Sequence, residues 1–182
     1  MRFPFDETKT TQAAAYLLKL SGGKLPYMVL IKLLYLADRE MLAKQGKQIT
    51  GDKLVSMKNG PVLSTVLNLI NNGPEPSPSK WFDYVSEPQG YDVCLKAEAP
   101  TNALSRFEMK LLDGVYEKFG KMDRWDLVKL LHEILPEWDS DVGLSSSDID
   151  PEDILRAEKW DEGRIRDAQL SAHEARFISS LA

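Results

Sequence analysis

Imidazole and thiol chemistry is thinly supplied in this chain. It has two histidines, His132 and His173, and one cysteine, Cys94. The histidines lack the close helical pairing of a zinc protease, and one cysteine builds neither a disulfide framework nor a multi-cysteine zinc site. The acids near His132 allow one candidate metal set, His132 with Asp139 and Asp141. The simpler reading of His132 is a helix-ending residue whose ring bonds the terminal carbonyls. Gly22-Gly23-Lys24 ends like a phosphate loop but lacks the earlier glycine and the strand that must lead in. Cys94 reads as a packed strand residue, and no nucleophile has an adjacent base. Nothing in these residues calls for an enzyme, a metal or a cofactor.

The more informative polar residues lie on an apolar background. Residues 25–44 are the most apolar segment, and 28–37 are interrupted only by Lys32 and Tyr35. A helix apolar nearly all round is a central, buried one, so Lys32 and Asp38 must be paired or reach water. Lys32, Tyr35, Asp38 and His132 are together candidates for one polar cluster between helices.

The elements that must hold these residues read as mainly α. A first helix spans 7–20, with Asp6 as N-cap and Gly22-Gly23 as its stop. The central helix breaks at Gly46, and Thr50 or Asp52 opens a short helix or turn over 53–58. Asn59-Gly60-Pro61 turns into a third helix with Pro61 at its first position and Val62, Val66, Leu69 and Ile70 inward. Residues 74–80, with three prolines, are a surface connection. The period then changes, and 81–85 and 91–95 flank a turn as one small β-hairpin, about residues 81–96. Ser105 and Glu108 form a capping box, with Leu104 and Met109 as its hydrophobic staple. Asp123 and Asp126 open a fifth helix that stops at Pro136. Asp150-Pro151 starts another, and a final helix covers about 164–181. This is one compact helical domain over 1–162, with 163–182 as its C-terminal helix or tail.

Composition is that of an ordinary globular chain: 182 residues, 43% hydrophobic and 28% charged. The N-terminus has no apolar signal region and no stretch is long enough to span a membrane, so a cytoplasmic protein is expected. The net charge of −5 is unevenly spread. Residues 1–80 carry 11 Lys/Arg against 6 Asp/Glu, whereas 81–182 carry 12 against 22. That acidity argues against nucleic-acid binding through the second half.

Residues 32–70 resemble the core signature of the Panacea domain, the SocA-like antitoxin family. The matching positions are Lys32, Leu33, Tyr35, Ala37, Asp38, Gly46, Gly60, Pro61 and Val62. Where that family has an aromatic-rich approach to Gly-Pro, this chain has Val55-Ser56-Met57-Lys58-Asn59. A second stretch is similar to the family's C-terminal half: 127–132 ending in His132, then Pro136 and Trp138, then the acidic start at 150–154. The likeness covers roughly residues 10–160, in order.

The resemblance implies a bacterial or phage antitoxin that neutralises a protein toxin, encoded by a neighbouring gene, through direct protein–protein binding. The family-motif residues Lys32, Tyr35, Asp38, Gly60, Pro61, His132 and Trp138 are then the candidate interaction residues. If the polar ones cluster, they either hold the fold or form a pocket for the toxin. Trp81, Phe82, Trp138 and Trp160 are candidate surface anchors, although burial is the expectation for each taken singly. The alternative is a proteolytic adaptor that delivers the toxin to an ATP-dependent protease, with 164–182 as the docking element. A metal-dependent hydrolase and a DNA-binding autorepressor are weaker readings.

Overall fold

Every residue from 29 to 38 is buried, and the helix that carries them organises the rest. The computed structural model describes residues 1–72, 79–139 and 145–181. Its elements run α1 (Glu7–Leu20), β1 (Lys24–Pro26), α2 (Tyr27–Gln45), β2 (Leu54–Met57), β3 (Val62–Leu63) and α3 (Ser64–Asn72). There follow α4 (Trp81–Tyr84), β4 (Asp92–Cys94), α5 (Arg106–Phe119), α6 (Arg124–Ile134), β5 (Ser146–Asp148), α7 (Pro151–Ala157) and α8 (Glu162–Ser179). The described chain is mainly α, as expected. Helix α2 packs against α1, α3, α5, α6 and α7 and against β1 and β3, which is why its stretch 29–38 keeps no solvent face. No described helix is long and apolar enough to cross a membrane.

The capping signals act where their residues put them. Asp6, Asp123 and Asp150 each accept a backbone N–H of the following turn, and Ser105 with Glu108 closes the full capping box. Gly46 ends α2 in the left-handed conformation, at φ 65°. A Cβ on Gly46 would lie 3.1 Å from the Trp160 ring and from Ala168. The Trp160 Nε1–H donates to the Ala43 carbonyl at 3.1 Å. The bare glycine thus lets Trp160 and α8 dock on the end of the central helix. Ile165, Ala168 and Ala172 are the buried residues of α8.

Three local expectations are corrected. Residues 53–58 are not a helix: β2 is the middle strand of a three-stranded antiparallel sheet, with Val55 opposite Val62 on one side and Asp148 on the other. Its partner β5 comes from the far end of the chain, and buried Leu54, Val55 and Ser56 pack as strand residues there. Pro61 is not a first helical residue, because Val62 and Leu63 pair with β2 before α3 begins at Ser64. The small hairpin is present only in part. Val85 and Leu95, and Gln89 and Asp92, bridge its arms, but β4 ladders with β1 and the first arm opens as the helical turn α4. The fully buried Trp81 sits in that turn, and α4 packs against α1. The proline-rich connection at 74–80 lies mostly outside the described residues.

One acidic relay joins the first three helices. The buried Asp38 carboxylate accepts the backbone N–H of Ile49 (2.7 Å) and Thr50 (2.9 Å), the Thr50 hydroxyl, and the Gln48 amide at 3.3 Å. The same hydroxyl oxygen accepts the Asp52 N–H at 3.0 Å. Asp52 in turn accepts the N–H groups of Thr65 and Val66, fixing the first turn of α3. The Thr50 carbonyl takes the N–H of Asp6, the α1 cap, at 2.8 Å. Gly51 bears no side chain because a Cβ there would stand 1.9 Å from the Pro4 carbonyl.

Removing Asp38 orphans several buried donors at once. Asp38→Ala is therefore expected to cost about 3 kcal/mol or more in urea unfolding. A loss within 0.5 kcal/mol, about the noise for a surface change, would contradict this role.

Candidate functional site

Five of the seven family-motif residues, Lys32, Gly60, Pro61, His132 and Trp138, converge where α2 and α6 meet the turn before β3. Lys32, in the second turn of α2, is 1% exposed, and its Nζ lies 3.4 Å from the Pro61 carbonyl. It makes no ion pair with any described carboxylate. Burial alone pushes its ammonium down to about 8. Gly60 makes the approach possible: at φ 92° it turns the chain, and a Cβ there would stand 3.0 Å from Lys32 Nζ and 3.5 Å from His132 Nε2.

His132 sits in the last turn of α6, but its ring does not bond the terminal carbonyls as expected. It stacks on Trp138, with centroids 3.6 Å apart and planes 5° from parallel. Its Nε2 is buried without a hydrogen-bond partner among the described residues. Burial, and then the Lys32 charge, lower its pKa, so the imidazole is neutral at pH 7. Trp138 fixes the stack by donating Nε1–H to the Met57 carbonyl at 3.0 Å. That carbonyl also accepts the Gly60 N–H at 2.9 Å, so the turn and the segment after α6 share one anchor.

The polar residues expected to form one cluster divide among three neighbouring arrangements. Lys32 and His132 meet over Gly60. Tyr35, one turn further along α2, donates its hydroxyl to Glu137 Oε1 at 2.8 Å. Arg39 holds the same carboxylate through Nε at 2.7 Å and reaches Glu158 through its Nη1 at 2.8 Å. Burial, and then the Glu137 charge, raise the Tyr35 phenol well above 10, which keeps it a donor. Asp38 serves the loop at 48–50, and burial raises its carboxyl to about 7 against the pull of its hydrogen bonds. Arg39 and Glu137 have no place in the sequence reading, and Asp52 is read there only as the start of a helix or turn over 53–58. Arg39 is a central-helix charge of the same kind as Lys32, and that signal could have found it.

A depressed lysine beside a neutral imidazole is a combination suited to proton transfer. Here both groups close on Gly60, whose missing Cβ is what admits them. The geometry positions a turn. Of the candidate metal set, Asp141 lies outside the described residues, and no group of three metal-ligating side chains occurs among the described ones. A surface hollow of about 390 Å³, walled by Phe3, Phe5, Gln48 and Lys53 among others, takes in none of the motif residues. Among the aromatics, Trp81 is fully buried, while Phe82, Trp138 and Trp160 are half-buried against the core.

The family model described as "Antitoxin SocA-like, Panacea domain" matches residues 30–139, well over half of the chain. The chain belongs to this family. The matched span runs from α2 to Trp138 and its neighbour, and so contains the whole Lys32–Gly60–His132–Trp138 arrangement. Helices α1, α7 and α8 lie outside it. Neither the curated proteins nor the solved structures contain a match.

Two substitutions test the reading of this Panacea-domain arrangement. The unfolded chain holds its Lys32 proton up to 10.5 and the folded chain only to about 8. Stability therefore rises with pH across that window as the buried charge is relieved. Lys32→Met should flatten this rise and stabilise the protein at pH 7, by a cost on the order of 3 kcal/mol removed. A variant that keeps the rise places the titrating group elsewhere. Gly60→Ala should lower stability by roughly 1–2 kcal/mol, the cost of a left-handed backbone at a residue with a Cβ. An unchanged urea midpoint would contradict that.

Proposed function

We propose that this chain is an antitoxin that neutralises a cognate protein toxin by binding it directly, as a binding protein and not a catalyst. The observation that carries the reading is membership of the antitoxin SocA-like Panacea family over residues 30–139. The burial of the motif residues supports a division of labour. Lys32, Tyr35, Asp38, Gly60 and Pro61 are all buried, so their chemistry is spent inside, on the turn and the loop that α2 organises. Recognition then belongs to the exterior, where large side chains such as Trp125 and Tyr91 are exposed. Exposed aromatic and arginine groups are what a protein-binding surface requires.

Co-expression with the open reading frame beside its gene tests this. The neighbour alone should arrest growth, and the pair should grow. Lys32→Met should neutralise as well as the unaltered chain. A neighbour that is harmless alone, or that kills despite a soluble partner, rejects the antitoxin reading. Loss of neutralisation in Lys32→Met, with melting unimpaired, would move recognition into the polar interior.

A further inference from the structure

Resting on the antitoxin reading, we infer that Tyr91, Arg124 and Trp125 form the anchor of the toxin-docking surface, and that Arg124 receives an Asp or Glu side chain of the toxin. Arg124 opens α6 beside its N-cap Asp123. Its guanidinium carbon lies 4.1 Å from the Tyr91 ring centroid and 5.5 Å from that of Trp125. Tyr91 is 62% exposed and Trp125 52%. Both rings stand on fixed backbone. The Tyr91 carbonyl accepts the N–H of Tyr27, at the start of α2, at 2.9 Å, and the Trp125 N–H donates to Asp123 at 2.8 Å.

The arginine between them is set apart by touching two exposed rings. Arg39 and Arg156 spend their donors on carboxylates, and the Arg164 guanidinium carbon lies 3.8 Å from the centroid of the half-buried Trp160 ring alone. The Arg124 guanidinium instead has no hydrogen bond or ion pair to any described residue, only the two rings. Contact with the two rings holds the fork in place while its N–H groups have no described partner, and such a fork matches a carboxylate in two parallel hydrogen bonds. Tryptophan, tyrosine and arginine are the residue types that dominate binding energy at protein interfaces, and pre-positioned ones lose little entropy on binding. A single carboxylate balances this single guanidinium. A phosphate backbone needs a run of such bases, which residues 81–182, with 12 Lys/Arg against 22 Asp/Glu, do not supply.

The test is titration calorimetry of the purified chain against the neighbouring-gene product, with melting recorded for each variant. Trp125→Ala and Arg124→Glu should each weaken binding by about 30-fold or more, the hot-spot scale, at unchanged melting temperature. Phe177→Ala, exposed on the last turns of α8, should bind like the unaltered chain. Among charge reversals of the toxin's Asp and Glu residues, one should restore binding to Arg124→Glu. Variants that melt normally and bind within threefold of the unaltered chain overturn this assignment while leaving the antitoxin reading intact. If the unaltered chain itself does not bind, the antitoxin reading fails and takes the surface with it. Retardation of a DNA or RNA oligomer that Arg124→Glu abolishes would assign the surface to nucleic acid.

Discussion

The fold depends on one buried carboxylate. Asp38 lies on the most enclosed helix of the molecule, and four donors from residues 48–50 converge on it. A lone charge in that position would be costly enough to unfold the region, so the loop must return to it. Once it does, Thr50 passes the constraint to Asp52, which starts α3, while the Thr50 carbonyl fixes the cap of α1. Three helices are thereby set against one another through a few short hydrogen bonds. The apolar contacts supply most of the driving force, but they do not choose this register by themselves.

Lys32 shows the opposite solution on the same helix. It has no counter-ion among the described residues, and the protein accepts a weakened ammonium against a carbonyl and an imidazole. The turn at Gly60 and Pro61 is built around that charge, and Trp138 closes it from outside by stacking on His132 and bonding Met57. In both places the family-motif residues act through backbone position. Such an interior can stay constant while the surface is suited to a particular partner.

Much of this was legible in the sequence because its causes are local. The caps at Asp6, Ser105, Asp123 and Asp150 and the stop at Gly46 lie within a turn of what they control. So did the central place of α2, since unbroken apolar sequence leaves no solvent face. What escaped depends on distant chain. Residues 54–57 became a strand because β5 arrives beside them from beyond residue 145, and Asp52 caps a helix on the far side of a whole strand pair. His132 was read as a helix end from its own segment, whereas Trp138 decides its environment. Of the two charges expected to be paired or to reach water, Asp38 is held by residues 48–50, whereas Lys32 is buried with no described carboxylate beside it, and the sequence does not say that Glu137 would claim Tyr35.

The central claim is that the polar interior builds the domain and the exterior binds the toxin. Hydrogen–deuterium exchange on the chain, free and saturated with the neighbouring-gene product, tests it directly. The account predicts slowed exchange confined to surface segments, with residues 89–92 and 123–126 among them, and no change at 30–38 or at 48–52. New protection concentrated at 30–38 and 57–62, with the Tyr91 and Trp125 segments unaltered, would contradict it.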